Sequence, residues 1–366
     1  MPMPKKVALI HYWLTNMRGG ENVFAEFCRL FPEADIFTHA WNPEKVKEPF
    51  NSHQIRESFI ARLPLARRKC QVYLPLMPAA LKQLDFTGYD FILSSESGPC
   101  KGIRKPAGAY HVCYCHTPMR YIWDMYEDYY QAAGMGGKIA MRLFKNYMRK
   151  YDLRSADCVD RFLANSHFVA ERIKRIYGRD STVVYPPVDT DYFIPGKDDE
   201  PKGYYLFAGQ LISYKRPELA LRACMKLNRK LVLVGDGPMR PRLEKEAAGN
   251  PDIVFAGRAE RPQLRKYYAE SRALIFPGIE DFGIVPLETQ SLGIPVIALG
   301  AGGALETVIS GKTGLFFPEP TVDSLCHAIE EFEAMKFDRQ TIIEHARKFS
   351  RNVFVQKLRK ELGMDG

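Results

Sequence analysis

Short apolar runs that stop at a glycine and give way to a helical pattern recur through the second half of the chain. Tyr204–Ala208 stops at Gly209, Leu231–Val234 at Gly235 and Ile253–Ala256 at Gly257. Ala273–Phe276 leads to Pro277-Gly278, and Pro295–Ala298 to Gly300. Such runs read as buried strands. Strands alternating with helices predict a parallel, doubly wound α/β sheet. The helices are expected from Pro217 to about Leu227, over Gln263–Arg272 and over Val285–Leu292, with Pro217 and Pro286 tolerated near helix starts. The glycine turns then fall at the carboxyl ends of the strands, where open sheets of this kind bind ligands.

The first half alternates in the same way. Val7–Leu14, Asp35–Thr38, Asp90–Ser94, Ala109–Cys115 and Cys158–Ala164 read as strands. Asn16–Asn22 is a polar turn holding Gly19 and Gly20, followed by a helix over Val23–Leu30. Ser166 is a plausible cap for the helix after Asn165. Asn51–Leu84 is irregular and rich in Pro, Leu and Arg; it reads equally as a surface cover or a membrane-facing flap. Lys138–Arg154 is a basic amphipathic helix. It fits either a membrane interface or an ordinary helix with one core face. Pro186-Pro187 stiffens the chain and forbids helix. The expected domains are therefore 1–187 and 188–345, with 346–366 holding a last helix, Val353–Leu362. Two domains suit 366 residues.

Residues 1–187 carry 27 Lys and Arg against 18 Asp and Glu, whereas the rest is balanced at 25 each. A basic half beside a neutral half points to different partners. No nucleic-acid motif accompanies the charge, so nucleic acid is not expected. An anionic membrane surface or a phosphate-bearing acceptor fits better. No apolar run approaches the roughly 20 residues that span a bilayer. The N-terminus lacks a signal peptide's apolar region, and the cytoplasm is the expected location. The eight cysteines are scattered. Cys113 and Cys115 lie on one strand face and His116 on the other, and no second pair with zinc spacing exists. Buried thiols are expected, and no metal.

The stretch Pro277–Glu288 carries the chemistry. A turn holding Glu280, Asp281, Phe282 and Gly283 opens a helix at about Val285 that bears Glu288. Helix-start amides and the helix dipole favour an anion. Gly283 lets the backbone approach it. Two carboxylates then bracket that anion. The pattern suits a sugar nucleotide, although two acids eight apart are by themselves only solvated glutamates. The segment resembles the E-x7-E signature of family 4 retaining glycosyltransferases. His116-Thr117-Pro118-Met119-Arg120-Tyr121 is similar to a run in members acting on O-antigen and other surface polysaccharides. Asn165-Ser166 and Pro186-Pro187-Val188-Asp189 resemble the family's linker region.

The resemblance implies the GT-B fold: two Rossmann-like, doubly wound domains facing a central cleft, with the last helix crossing back to the first domain. It implies donor binding by Gly19, Gly20, Gln210, Lys215, Arg216, Arg258, Glu280, Asp281, Phe282, Gly283, Ile284 and Glu288. His116, Glu280 and Lys215 would be catalytic: His116 beside the donor sugar, Glu280 on sugar hydroxyls, Lys215 on the diphosphate. Glu288 would take the ribose. The family pattern Gly-Arg-x4-Lys is altered here, with Gln210 in place of the Arg; a neutral amide is a weaker partner for phosphate, and Arg216 stands near enough in sequence to compensate. The implied reaction is metal-independent, retaining transfer of a hexose, mannose from GDP-mannose, to a lipid-linked or polysaccharide acceptor at the inner membrane face. A sugar-nucleotide epimerase of the same fold, or a non-catalytic nucleotide-binding partner of a glycan assembly complex, are the alternatives.

Overall fold

The computed structural model describes residues 5–197 and 199–364. The chain forms two compact units, Met1–Tyr185 with Val355–Gly366, and Pro186–Phe354. The first holds seven strands: β1 (Val7–His11), β2 (Asp35–Thr38), β3 (Ile55–Glu57), β4 (Phe91–Glu96), β5 (Tyr110–Cys115), β6 (Arg161–Ala164) and β7 (Ser181–Val183). The second holds β8 (Tyr204–Ala208), β9 (Leu231–Val234), β10 (Ile253–Gly257), β11 (Ser271–Phe276), β12 (Val296–Leu299) and β13 (Gly314–Phe317).

The sheet orders are β3-β2-β1-β4-β5-β6-β7 and β10-β9-β8-β11-β12-β13. Neighbouring strands are parallel in both sheets. Helices cover both faces, so the central strands are buried on both sides and read as continuous apolar runs. Leu231–Val234 is buried at every residue. In each sheet the first strand pairs with the fourth. The order reverses between β1 and β4, and between β8 and β11. Loops at those two points diverge and leave a crevice at the strand ends. This is the GT-B architecture, two Rossmann-like units in one chain.

Several boundaries differ from the sequence expectation. β1 ends at His11, not Leu14, because the chain leaves the sheet and Leu14 forms a single bridge with Trp41. Gly19 and Gly20 are not loop residues; they are the first residues of the helix Gly19–Leu30. The helix expected to reach Arg272 stops at Glu270, because Ser271 turns extended and pairs with Tyr204, which puts Arg272 in β11. Strands β3 and β13 are short and were not expected. The region 51–84 folds as short helical turns on a small core of Ile60, Ala66, Cys70, Met77 and Ala80. The last helix, Arg351–Glu361, joins the first unit from Val355 onward, and Arg161 Nη1 donates to the Glu361 carbonyl at 2.6 Å.

A buried charge cluster ties the first unit together. The Lys101 ammonium lies between the Glu96 and Asp152 carboxylates and donates to Asp152 at 2.6 Å. Trp123 Nε1 and the Tyr177 hydroxyl also donate to Asp152, at 2.7 and 2.9 Å. Burial works against the lysine's charge, but the two carboxylates outweigh it and hold its pKa well above the usual value.

Candidate active site

In the second unit the candidate residues gather where β8 and β11 end. Gly209 and Gln210 follow β8. A tight turn over Ser213–Lys215 comes next, then Arg216 in the left-handed region (φ 51°), then the helix Pro217–Lys226 with proline at its start. Pro277 to Gly283 follow β11 and lead into the helix Ile284–Ser291. Gly283 sits at that helix's start with φ 103°, a conformation that costs L residues with a side chain. Gly283, as the N-cap residue, has no side chain to accept from the first-turn amides.

The loops meet backbone to backbone. A Cβ on Gly278 would lie 2.7 Å from Lys215 Cα. One on Gly303 would lie 2.3 Å from the Phe282 backbone, and Gly303 N donates to the Glu280 carbonyl at 2.8 Å. These glycines therefore bring loops together. The contact fixes Lys215 opposite Glu280, with Lys215 Nζ 2.6 Å from Glu280 Oε1. Their side chains are 14% and 24% exposed, open enough to exchange partners with a ligand. Phe282 is buried, and Asp281 and Ile284 are half-buried beside the same helix start.

Glu288 lies one helical turn further along Ile284–Ser291. Tyr268 donates to its Oε2 at 3.1 Å. Burial raises its pKa to about 7; the Tyr268 hydrogen bond and Arg261 pull it back, and Asp189 pushes it up. Asp189, named above only for the linker resemblance, begins an Asp-x-Asp run, Asp189-Thr190-Asp191, where the sequence reading expects none, and is paired with Arg261 at 2.5 Å. Tyr268 and Arg261 are the residues of this site that sequence reasoning missed. Neither belongs to a motif; only the fold places them beside Glu288. Gln210 is exposed, Arg216 half-buried, and Arg258 exposed just after β10. Among the described residues no group of three or more His, Cys, Asp or Glu is arranged to hold a metal ion.

In the first unit the candidate residues lie where β1, β4 and β5 end. His116 follows β5 and Gly20 opens the helix after β1. The two are close: a Cβ on Gly20 would lie 3.6 Å from His116 Nε2. The His116 ring is held by Ser95 Oγ, 2.8 Å from Nε2, and by the edge of Tyr114. Burial, and then the neighbouring His11, push its pKa down to about 3. His116 is therefore neutral at physiological pH. At Gly19 the helix starts without a side-chain cap from Arg18.

Residues 17–192 match Glycosyltransferase Family 4, and residues 189–349 match Glycosyl transferases group 1. Both matching models describe glycosyltransferases, and together they span residues 17–349 of the chain. The D-inositol 3-phosphate glycosyltransferase of Kribbella flavida is 30% identical over 227 residues, which cover 53% of this chain and 54% of that one. The enzyme of the same name from Mycobacteroides abscessus is 30% identical over 219 residues, covering 53% and 49%. The chain thus spans about half the length of the curated relatives it matches. Among solved structures it resembles sucrose-phosphate synthase from Thermosynechococcus elongatus (TM-score 0.74, 18% identity, 98% of both chains). It also resembles the lipopolysaccharide outer core galactosyltransferase WaaB (TM-score 0.68, 19% identity, 98% and 99% covered). HepE of Anabaena with UDP and glucose is a third (TM-score 0.70, 15% identity, 97% and 99% covered). At these identities the structures speak for the fold alone.

Proposed function

We propose that this protein is a retaining, metal-independent hexosyltransferase that moves mannose from GDP-mannose to a lipid-linked or polysaccharide acceptor. The observation that carries the transferase reading is the Lys215–Glu280 pair at the uncapped start of the helix Ile284–Ser291. Breaking the bond to the leaving diphosphate builds negative charge on phosphate and positive charge on the sugar. Lys215 and the helix-start amides meet the first charge, and such prearranged dipoles are often the largest single contribution to catalysis. Binding then moves Lys215 from Glu280 to phosphate and frees the Glu280 carboxylate for sugar hydroxyls. Glu288 takes the ribose. His116, neutral, contacts the sugar. The leaving phosphate accepts the acceptor's proton on the same face, which retains configuration.

The donor is tested by a thermal-shift panel of GDP-, UDP-, dTDP- and ADP-sugars. A ligand at 100 times its Kd adds about 2.7 kcal/mol of stability. GDP-mannose giving the largest shift supports the reading; a UDP-sugar doing so replaces the donor. A new sugar nucleotide formed without any acceptor makes the protein an epimerase instead.

A phosphate-bearing acceptor is favoured by the basic first unit and by the names of the relatives, which act on inositol phosphate. The long helix Met135–Ser155 supports a membrane-borne one. It buries only Met148, Asp152 and Ser155, and exposes Met135, Ile139, Leu143, Phe144 and Tyr147 among its lysines and arginines. No helix among the described residues is long and apolar enough to cross a membrane. Peripheral docking on anionic lipid is the fitting mode. Salt-sensitive flotation with anionic liposomes is expected, and its absence removes the membrane from the proposal.

A further inference from the structure

Behind His116 lies a chain of polar side chains that sugar transfer, as just described, does not use. Glu21 is buried in the first turn of the helix Gly19–Leu30, and its Oε1 is 3.7 Å from His11 Nε2. His11, buried at the end of β1, places Nδ1 3.0 Å from Ser95 Oγ. Ser95, buried in β4, places the same Oγ 2.8 Å from His116 Nε2. Among the described residues His11 Nε2 and Glu21 Oε2 have no hydrogen-bond partner, though both are sealed from solvent. The Phe24 ring, stacked on His11 at 4.9 Å between centroids, and Tyr12 close the cluster.

Counting hydrogens orients the chain. A serine hydroxyl has one proton, so Ser95 donates to one imidazole and accepts from the other. A carboxylate beside His11 Nε2 favours a proton on that nitrogen and opposes a bare lone pair there. In that tautomer His11 has its lone pair on Nδ1, and Ser95 donates to it. Ser95 must in turn accept from His116, which fixes a proton on His116 Nε2. The other nitrogen, Nδ1, is left unprotonated and carries the ring's lone pair.

We propose that Glu21, His11 and Ser95 set the tautomer of His116, so that its Nδ1 offers a lone pair to a sugar hydroxyl. They are positioning residues, acting through His116. Only the sugar hydroxyl rests on the proposed function; the tautomer is a property of the free protein. The site accordingly selects a sugar that carries a hydroxyl at that position over one that lacks it, because the missing donor leaves Nδ1 unpaired.

The test is a long-range proton–nitrogen spectrum of the full chain labelled in its histidines, with His116 assigned by loss of its signals in His116→Ala. His39 and His111 are built-in references. His39 Nε2 lies 2.9 Å from the Pro99 carbonyl and must carry a proton; His111 Nδ1 lies 3.0 Å from the Cys158 carbonyl and must do the same. His116 is expected to match His39, protonated on Nε2. In Ser95→Ala the tautomer ratio should fall by about fivefold, the weight of one net hydrogen bond. Glu21→Gln should move it the same way, and Ser95→Thr should restore it. Unchanged His39 and His111 signals certify an intact fold. His116 protonated on Nδ1 in the wild type, or indifferent to Ser95→Ala, overturns the proposal. If the tautomer is as expected but His116→Ala leaves both kcat and KM for the donor found in the panel unchanged, the sugar contact is overturned. If no nucleotide sugar binds at all, the tautomer result still decides the first half.

Discussion

The two units share a strand order but build their strand ends from different materials. In the second unit the reversal point between β8 and β11 is shaped by backbone. Gly278, Gly302 and Gly303 let loops touch, the helix start at Gly283 has no N-cap side chain, and one part-buried ion pair, Lys215–Glu280, lies beside it. In the first unit the reversal point between β1 and β4 is shaped by buried side chains. His11, Ser95 and Glu96 end the strands, Lys101 and Asp152 are sealed beneath, and the site residue His116 is the outer end of a hydrogen-bonded series. Amides and an ion-paired lysine suit a charged group. A neutral, fixed imidazole suits a group recognised by its hydroxyls. On the proposed function, the second unit's strand ends suit an anion and the first unit's suit a hydroxyl-bearing group.

The sharpest way to break this contrast is to attack each unit at its own support. Lys101→Ala leaves two buried carboxylates without their cation. Breaking a buried pair in this way costs about 3–5 kcal/mol. The chain's three tryptophans, Trp13, Trp41 and Trp123, all lie in the first unit. The urea transition seen by tryptophan fluorescence should therefore move to lower urea, while circular dichroism keeps a second transition at the wild-type position. A single shifted transition by both probes would mean that the two units share their stability. Lys215→Ala attacks the second unit's chemistry. Loss of a prearranged cation is expected to cost at least about 100-fold in turnover, with little change in either unfolding transition. Retained turnover would move the anion grip elsewhere.

Glycine substitutions sharpen the comparison further. In Gly278→Ala the new methyl meets the Lys215 backbone at 2.7 Å, which cannot swing aside. In Gly20→Ala it meets the Tyr12 hydroxyl at 3.0 Å. Overpacking costs about 1–3 kcal/mol, and the larger loss of nucleotide affinity should follow Gly278→Ala. Equal losses would show that side chains confine the first unit's site as tightly as backbone confines the second.

The same contrast explains what could be seen in the sequence. The second unit was legible because backbone sites leave a periodic trace: apolar run, glycine, helix. β8 and β9 fall where the apolar runs predicted, and the helix bearing Glu288 begins within one residue of the expected start. β13 was not legible, being four residues opening on Gly314, and neither was the strand character of Arg272, which helical spacing hid. In the first unit His116 stood out by its place after a strand. Its partners did not, because His11 and Ser95 are 84 positions apart, His11 and Glu21 are 10 apart, and they meet only across two parallel strands and a helix. Gly19 and Gly20 looked like a loop because their low helix propensity outweighs nothing nearby, yet a helix start tolerates them.

The smallest expected effect is a pH dependence confined to the second unit. Burial holds the Glu288 carboxyl at about 7, well above its usual 4.5. The folded unit therefore binds a proton there that the unfolded chain releases, and stability from this group is lost as pH rises from about 4.5 through about 7. Nucleotide binding has the opposite sign. Ribose hydroxyls are donors, and the ionised carboxylate is the better acceptor. Affinity for a nucleoside diphosphate should weaken by up to about tenfold between pH 8 and pH 6, the slope of one coupled proton. The phosphates titrate in the same range, so the decisive quantity is the difference between wild type and Glu288→Gln measured by calorimetry. Arg261 and the Tyr268 hydroxyl face Glu288 and Asp189 lies nearby, so Arg261→Met should carry the transition upward by removing its nearest cation. Parallel pH curves for wild type and Glu288→Gln would take the ribose away from Glu288 and leave the Lys215–Glu280 pair as the whole of the second unit's hold on the donor.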